Sequence, residues 1–241
     1  MMISFRNFAF FVLLSSVGAL NAEPIDQFLQ KARTQLGPES VLDDVEAIHY
    51  KGVVISPSGE KMSDLELIFD KPNRQLLREM RGDVVNETAV NGYEGYVMSY
   101  DPNDKTKKLV QVLRPTQVKR LMANAVENLN FFNGPNKIRG ATITDEGIVD
   151  YNGKSARKVN FAYPLDLYYI RYFDPNTGEL LATVSSDGLT MTEKDSLNVG
   201  GIKFPKTVET YDETGALLRT VKFTEVTVNE QVQPGVFDFP E

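Results

Sequence analysis

Few side chains in this sequence have the types and spacing needed for acid–base or nucleophilic chemistry. The chain has one histidine, His49, in a strand-like run, which fits either a general base or an ordinary strand residue. No serine stands in a nucleophile-elbow context. The chain has no cysteine, which excludes a thiol nucleophile, a cysteine-ligated metal and a disulfide scaffold. We therefore interpret His49 as a structural residue.

Paired carboxylates are the other candidates for chemistry. They occur at Asp43 and Asp44 and at Glu39 and Glu46, where a glycosidase-like pair and a solvated helix surface both fit the pattern. The pair Gly200-Gly201 lacks the strand–glycine-rich loop–helix context of a phosphate loop and indicates a turn. The sequence therefore predicts a protein that is not an enzyme, with no cofactor and no metal site.

Composition and charge narrow the class of partner. The 241 residues include 26 basic and 33 acidic side chains, a formal net charge of −7. Phosphate contacts along nucleic acid need clustered lysine and arginine, so this acidic balance argues against nucleic acid as the partner. A hydrophobic fraction of 41% is enough for a folded chain that buries its own core.

The first 22 residues are typical of a cleavable secretory signal peptide. Arg6 is their only charge, the apolar run from Phe8 to Leu14 follows, and small residues end the segment. An uncleaved membrane anchor is the alternative, but the apolar run is short for the roughly 20 residues that a spanning helix needs. We expect cleavage after Ala22, a periplasmic mature protein, and one domain over residues 23–241.

Two segments have the helical spacing of apolar residues. The first runs from Ile25 to Leu36 and ends at Gly37-Pro38, a glycine cap followed by proline. The second runs from Pro115 to Leu129, and its apolar stripe is formed by Val118, Leu121, Met122, Ala125, Val126 and Leu129. A helix with one apolar stripe must lay it on another element, which here is a sheet.

From Ile48 onward the chain is predicted to form strands. Turn signals recur about every 10 to 15 residues, the rhythm of an antiparallel sheet. Asn91-Gly92, Asn152-Gly153 and Asp187-Gly188 favour type I′ hairpin turns. The predicted fold class is mainly β (α+β): a single curved antiparallel sheet of about ten to twelve strands with an N-terminal helix and a mid-chain helix.

The apolar face of this sheet and the stripe of the mid-chain helix form the candidate ligand surface. Sheet and helix can close on a packed core or leave an apolar cavity between them, and the pattern alone favours the packed core. If a ligand binds between them, alternation along the strands and helical spacing predict the residues that it contacts. These candidates are Leu65, Leu67, Phe69, Val118, Leu121, Met122 and Phe161.

Three stretches resemble a known superfamily. The segment from Ala89 to Tyr96 (AVNGYEGY) is similar to its strand–Asn-Gly–aromatic hairpin, and the segment from Asp150 to Phe161 resembles its next hairpin. The C-terminal patterns Gly-Ile-x-Phe-Pro, Val-x-Val-Asn and Phe-Asp-Phe-Pro are similar to the end of many lipoprotein-sorting-like proteins. Over residues 25–240 the chain thus resembles the LolA/LolB-like superfamily of periplasmic carriers of outer-membrane lipoproteins.

The resemblance implies an incomplete β-barrel whose helices form a lid over an apolar cavity for acyl chains. Such a carrier needs buried area and a movable lid, because each buried CH₂ group contributes about 0.8 kcal/mol. The family's carriers use an arginine of the lid; Arg114 and Arg120 lie near the mid-chain helix, but no motif assigns that role to either. A LolB-like receptor is itself a lipoprotein, so the absence of cysteine favours the soluble carrier side of the superfamily.

Two function classes stay open at this point. One is a carrier or chaperone of outer-membrane biogenesis that shields acyl chains of lipoproteins or lipids. The other is an envelope-stress sensor or regulator module with the same fold, which would bind a lipid or a protein partner. The expected partners are acyl chains and, for the second class, a membrane protein of the envelope; we expect a monomer.

Overall fold

Thirteen strands form one antiparallel sheet in the computed structural model, which describes residues 23–240 of the chain. They are β1 Ala47–Ile55, β2 Lys61–Asp70, β3 Arg74–Arg81, β4 Val84–Asn91, β5 Glu94–Asp101, β6 Asp104–Val112, β7 Thr142–Tyr151, β8 Lys154–Tyr163, β9 Leu167–Phe173, β10 Leu180–Ser185, β11 Thr190–Val199, β12 Ile202–Tyr211 and β13 Leu217–Val228. The predicted signal peptide, residues 1–22, lies outside the described residues. The predicted fold class is confirmed, with one described strand more than the predicted range.

The first strand, β1, lies in the middle of the sheet. Strands β2 to β6 follow it in chain order as consecutive hairpins, and β6 forms one edge. The chain resumes with β7 at the opposite edge and returns inward to β13, which pairs with β1. Among the described strands β6 and β7 each have one neighbour, so the sheet is open. The connection from edge to edge has to cross a face of the sheet.

The predicted mid-chain helix makes this crossing. Helix α3, Pro115–Leu129, has the predicted bounds, and Pro115 stands in its first turn, where a missing N–H costs nothing. The other described helices are α1 Ile25–Thr34, which ends before the predicted Leu36, the short α2 Glu39–Asp43, and a 3₁₀ turn at Gly134–Lys137. Among the described residues, no helix combines the length and apolar character that a membrane crossing requires.

An apolar cluster lies on the inner face in each half of the sheet. Helix α1 buries Phe28 against Phe161 of β8 and Phe173 of β9. The rings of Phe28 and Phe173 meet edge to face, with centroids 5.7 Å apart. The other cluster surrounds Tyr50 of β1 and receives Leu129 from the end of α3. The two long helices therefore cover different parts of the same face.

The outer face is covered in part by the segment that follows β13. Phe237 of this segment is buried in a cluster with Ile68 of β2, Leu76 of β3 and Tyr96 of β5. Ile68 and its neighbour Leu67 point to opposite faces of β2, since side chains alternate along a strand. Strand β2 is therefore packed on both faces, and its outward side does not face solvent alone.

The predicted type I′ turn forms at one hairpin, whereas at another the pairing of the strands shifts the turn by one residue. Asn152-Gly153 lies between the paired Tyr151 and Lys154, and φ is 53° and 77° at its two residues, which confirms the predicted type I′ geometry. At Asn91-Gly92 the prediction is wrong. Asn91 pairs with Glu94, so the turn begins one residue later, and the glycine alone has positive φ.

Candidate functional site

A cavity of about 350 Å³ lies between the inner face of the sheet and helix α3. Its apolar wall includes Leu65, Leu67, Phe69, Leu77, Val221 and Phe223. Its polar wall includes Gln75, Asn124, Glu127, Tyr169, Arg171 and Glu193. The volume is at the lower end of the roughly 300–1,000 Å³ that ligand pockets occupy. We call this space the interior cavity; its lining is amphipathic, whereas the sequence predicts an apolar one.

A buried ion pair joins α3 to the sheet at the polar wall. Arg171 of β9 donates through Nη1 to Glu127 Oε1, and the hydroxyl of Tyr163 donates to Glu127 Oε2. Glu127 is 4% exposed and Arg171 is 8% exposed. The Arg171 guanidinium also lies 4.5 Å from the centroid of the Phe161 ring. Because the loss of either partner would leave an unpaired buried charge, this pair holds α3 against β8 and β9.

Asn124 connects the same helix to both halves of the sheet. Its Nδ2 donates to Gln75 Oε1 on β3 at 2.8 Å, and its Oδ1 accepts from the Tyr169 hydroxyl on β9 at 3.0 Å. Burial raises the pKa of Tyr169, which keeps the hydroxyl a donor at neutral pH. Both are neutral hydrogen bonds that water can replace if α3 moves away from the sheet.

Glu193 of β11 presents a carboxyl group to the interior cavity. The side chain is solvent-exposed and also lines an adjacent cavity of about 290 Å³ beside α1. Desolvation raises the pKa of Glu193 against the lowering effect of Arg171 and Lys203. No described side chain forms an ion pair or a hydrogen bond with it. Its carboxyl group therefore ionises less readily than that of an ordinary glutamate.

Arg33 of α1 fixes the C-terminal end of α3. It is 5% exposed, and its Nη1 donates to the carbonyl oxygens of Asn130 at 2.6 Å and Phe131 at 2.9 Å. Its Nη2 donates to Asp43 at 2.8 Å and its Nε to Glu39 at 2.9 Å, both on α2. One buried guanidinium thus ties α1, α2 and the end of α3 together.

The two residues after this end insert their rings into the two apolar clusters. Phe131 and Phe132 have φ of 45° and 69°, a backbone conformation that phenylalanine rarely adopts. The Phe131 ring lies 6.2 Å from Phe204, and the Phe132 ring lies 5.1 Å from Phe173. Packing on both sides holds this strained turn, so the C-terminal end of α3 is its anchored end.

The predicted ligand-binding residues of the sheet fall into two environments. Leu65, Leu67 and Phe69 line the interior cavity, as neighbours on one face of β2. Phe161 is fully buried between the ring of Phe132 and the guanidinium of Arg171. Three of the four thus reach the cavity, and the fourth supports its polar wall from behind.

The predicted ligand-binding residues of α3 lie away from the interior cavity. Val118 is buried against Val90 and Leu113, and Leu121 packs beside this group. Met122 contacts the same group and lines a separate cleft on another side of α3. The structure therefore does not bring these three residues together with the sheet candidates, and their role in binding stays a prediction.

Sequence reasoning misses the polar wall, although one signal for it exists. Arg171 is a single charge on the inward face of β9, between the buried aromatic residues Tyr169 and Phe173. A charge that interrupts an apolar alternation needs a partner, and this break is the observation that could have found the ion pair. The partner Glu127 carries no equivalent signal, because a glutamate is common on a helix.

Comparison with known proteins identifies the fold. No family model matches the sequence, and no curated protein matches it. Among solved structures, a DUF1329 family protein from Desulfovibrio piger matches with a TM-score of 0.57 at 9% identity, covering 90% of this chain and 98% of that chain. A putative outer membrane lipoprotein-sorting protein domain from Vibrio parahaemolyticus matches with a TM-score of 0.54 at 10% identity, covering 89% and 97%.

A LolA superfamily protein from Nitrosomonas europaea matches equally well, with a TM-score of 0.54 at 10% identity and coverage of 90% and 98%. These matches extend over nearly the whole of each structure. The chain therefore has the LolA-like fold that the sequence resemblance implied. At such low identity the likeness shows the fold alone, so function has to be argued from the interior cavity.

Proposed function

We propose that this protein is an exported periplasmic carrier that shields acyl chains of lipoproteins or lipids in the interior cavity. The observation that carries the proposal is a continuous apolar wall beneath a helix, formed by Leu65, Leu67, Phe69, Val221 and Phe223. The fold supports it, since one protein with the same fold is described as a putative outer membrane lipoprotein-sorting protein domain. Binding of this kind uses buried apolar area and requires no catalytic residue.

Magnitudes favour loading by an outward movement of α3. Burying about ten methylene groups contributes about 8 kcal/mol, at about 0.8 kcal/mol each. Releasing the two neutral hydrogen bonds of Asn124 costs about 0.5–1.5 kcal/mol each, because water replaces the lost partners. Exposing the buried Val118 costs about 1.5–3 kcal/mol more, and the sum stays below the gain from the acyl chain. The buried pair of Glu127 and Arg171 is far more costly to separate, so we infer that α3 pivots about this pair and its anchored C-terminal end.

A matched pair of variants tests the proposal. Leu67→Glu places a carboxylate on the apolar wall, whereas Leu218→Glu makes the same change on β13 at a residue that is 42% exposed and outside the cavity lining. Displacement of a fluorescent fatty acid should show Leu67→Glu binding at least about tenfold more weakly than the unmodified protein, because a charge in an apolar site is strongly disfavoured. Leu218→Glu should bind normally. Equal affinity of the two variants for the fatty acid would contradict binding in the interior cavity.

The proposed export has its own test. Cleavage after Ala22 predicts a mature N-terminus at Glu23 and recovery of the protein in the periplasmic fraction. N-terminal sequencing of the protein from fractionated cells checks both. A protein recovered with Met1 in place would contradict this part of the proposal. Capture of an envelope membrane protein with no lipid bound would favour the sensor module instead of the carrier.

A further inference from the structure

A second cavity, of about 690 Å³, lies on another side of α3 and shares no lining residue with the interior cavity. We call it the outer cleft. Helix α3 contributes Lys119, Met122, Ala123 and Val126, and Asn130 follows directly after its last residue. Their spacing of three, four, seven and eleven residues places them on one helix face. The opposing walls come from the β2–β3, β4–β5 and β8–β9 turns and from the segment after the 3₁₀ turn.

The charges of the outer cleft are all of one sign. Lys71, Lys119, Lys137 and Arg139 line it, and no acidic residue does, although the chain as a whole has a net charge of −7. Lys71 is paired with Glu46 at 3.0 Å. The other three cations are exposed, and none of them forms an ion pair with a described acidic residue. An anion entering this cleft therefore meets three cations that have no competing partner.

The rest of the outer cleft is apolar. Met122 and Val126 form its floor on α3, and Ile138 and Pro164 add to the walls. Leu165 is 39% exposed and has φ of 69°, an unfavourable backbone conformation for leucine that presents an apolar side chain to the cleft. Leu165 lies in the tight β8–β9 turn, between the paired Tyr163 and Leu167, and the turn holds its side chain at the cleft.

We propose that the outer cleft binds an anionic amphiphile through its phosphate group, with Lys119, Lys137 and Arg139 holding the phosphate and the floor of Met122 and Val126 holding the adjoining apolar part. A concave site with a floor fits one amphiphile molecule better than a flat membrane surface. Arginine and lysine together suit a phosphate, since the guanidinium can bind two oxygens and the ammonium adds charge. The site is separate from the interior cavity, so the two proposals can fail independently.

Binding of lysophosphatidate and of a monoacylglycerol with the same acyl chain, measured by calorimetry below their aggregation concentrations, tests the phosphate contact. The triple variant Lys119→Gln, Lys137→Gln, Arg139→Gln should bind lysophosphatidate about tenfold or more weakly, at the usual strength of three such charge pairs. A control triple at exposed lysines outside both cavities, Lys154→Gln, Lys206→Gln and Lys222→Gln, makes the same charge change and should bind normally. Leu67→Glu should still bind lysophosphatidate in the outer cleft.

Four results would overturn the proposal. The first is equal affinity of the Leu67→Glu variant, whose interior cavity is impaired, for lysophosphatidate and the monoacylglycerol. The second is equal loss in the two triple variants. The third is inorganic phosphate binding as tightly as lysophosphatidate, and the fourth is protein that adsorbs to anionic vesicles without binding monomeric lysophosphatidate. The variant Leu165→Asn, whose side chain tolerates positive φ, should fold and lower the affinity for lysophosphatidate but not for phosphate.

Discussion

The interior cavity and the outer cleft lie on different sides of one helix and differ in how their charges are balanced. In the interior cavity the buried cation, Arg171, is paired with Glu127, and an apolar wall faces the polar one. In the outer cleft, cations stand at the rim without acidic partners among its lining residues. The difference underlies the two proposals, an acyl chain in the interior cavity on one side of α3 and an anionic group in the outer cleft on the other.

The largest expected effect concerns the pair that holds the interior cavity together. Glu127→Ala leaves Arg171 buried without its partner and should lower the free energy of unfolding by about 3–5 kcal/mol. Lys119→Ala, on the same helix at the outer cleft, should change it by less than about 0.5 kcal/mol, since that side chain is exposed. Urea unfolding measures both. If Glu127→Ala lowers the free energy of unfolding no more than Lys119→Ala does, the buried ion pair does not hold α3 against the sheet.

A second effect concerns the anchored end of α3. Arg33→Ala leaves the carbonyl oxygens of Asn130 and Phe131 without their donor and should cost about 2–4 kcal/mol. It should also speed the uptake of a fluorescent fatty acid into the interior cavity, as the helix end is released. Lys31→Ala on the same helix removes a partly exposed pair with Glu23 and should do neither. Stopped-flow fluorescence and thermal unfolding compare the variants; identical uptake rates would contradict the anchor.

Glu193 gives the interior cavity a pH dependence. Its pKa is raised above the ordinary 4.5 by desolvation, so the folded state binds the proton more tightly than the unfolded state. This contribution to stability is complete below pH 4.5 and is lost as the pH rises through the raised pKa. The variant Glu193→Gln should therefore gain stability relative to the unmodified protein as the pH rises. Unfolding curves between pH 4 and 8 check this, and a pH-independent difference would contradict it.

The smallest expected effect is the change in ligand affinity with salt concentration, which should differ between the two sites. Raising the ionic strength screens exposed charges, so lysophosphatidate should bind the outer cleft several-fold more weakly in high salt. Binding of an uncharged acyl probe to the interior cavity should not weaken, because burial of apolar area does not depend on charge screening. Titrations at low and high sodium chloride concentration compare the two ligands. Parallel weakening of both would show that one site binds both.

Local patterns predict the elements of this molecule better than their assembly. The bounds of α3 follow from its apolar spacing and Pro115, and the shared face of Leu65, Leu67 and Phe69 follows from alternation. The pairing of β1 with β13 does not follow, because it joins residues such as His49 and Thr227 that lie far apart in the chain. Only that pairing brings the two halves of the sheet under one helix.

The candidate sites depend on this assembly, which is why the sequence indicates them only in part. Phe161 lies on the predicted inward face, but alternation cannot say that Phe132 and the α1 helix cover it. Glu127 and Arg171 meet only when α3 crosses from one edge of the sheet to the other. The outer cleft is built from turns of four separate chain regions, so no single stretch of sequence predicts it.

The central claim is that the interior cavity shields an acyl chain, and one measurement tests it most directly. Mass spectrometry of lipid extracted from the protein purified from the periplasm should find acyl species bound to the unmodified chain and to Leu218→Glu, and depleted from Leu67→Glu. The contrary result is an unmodified protein that contains no acyl species and binds no fluorescent fatty acid that added lipid can displace.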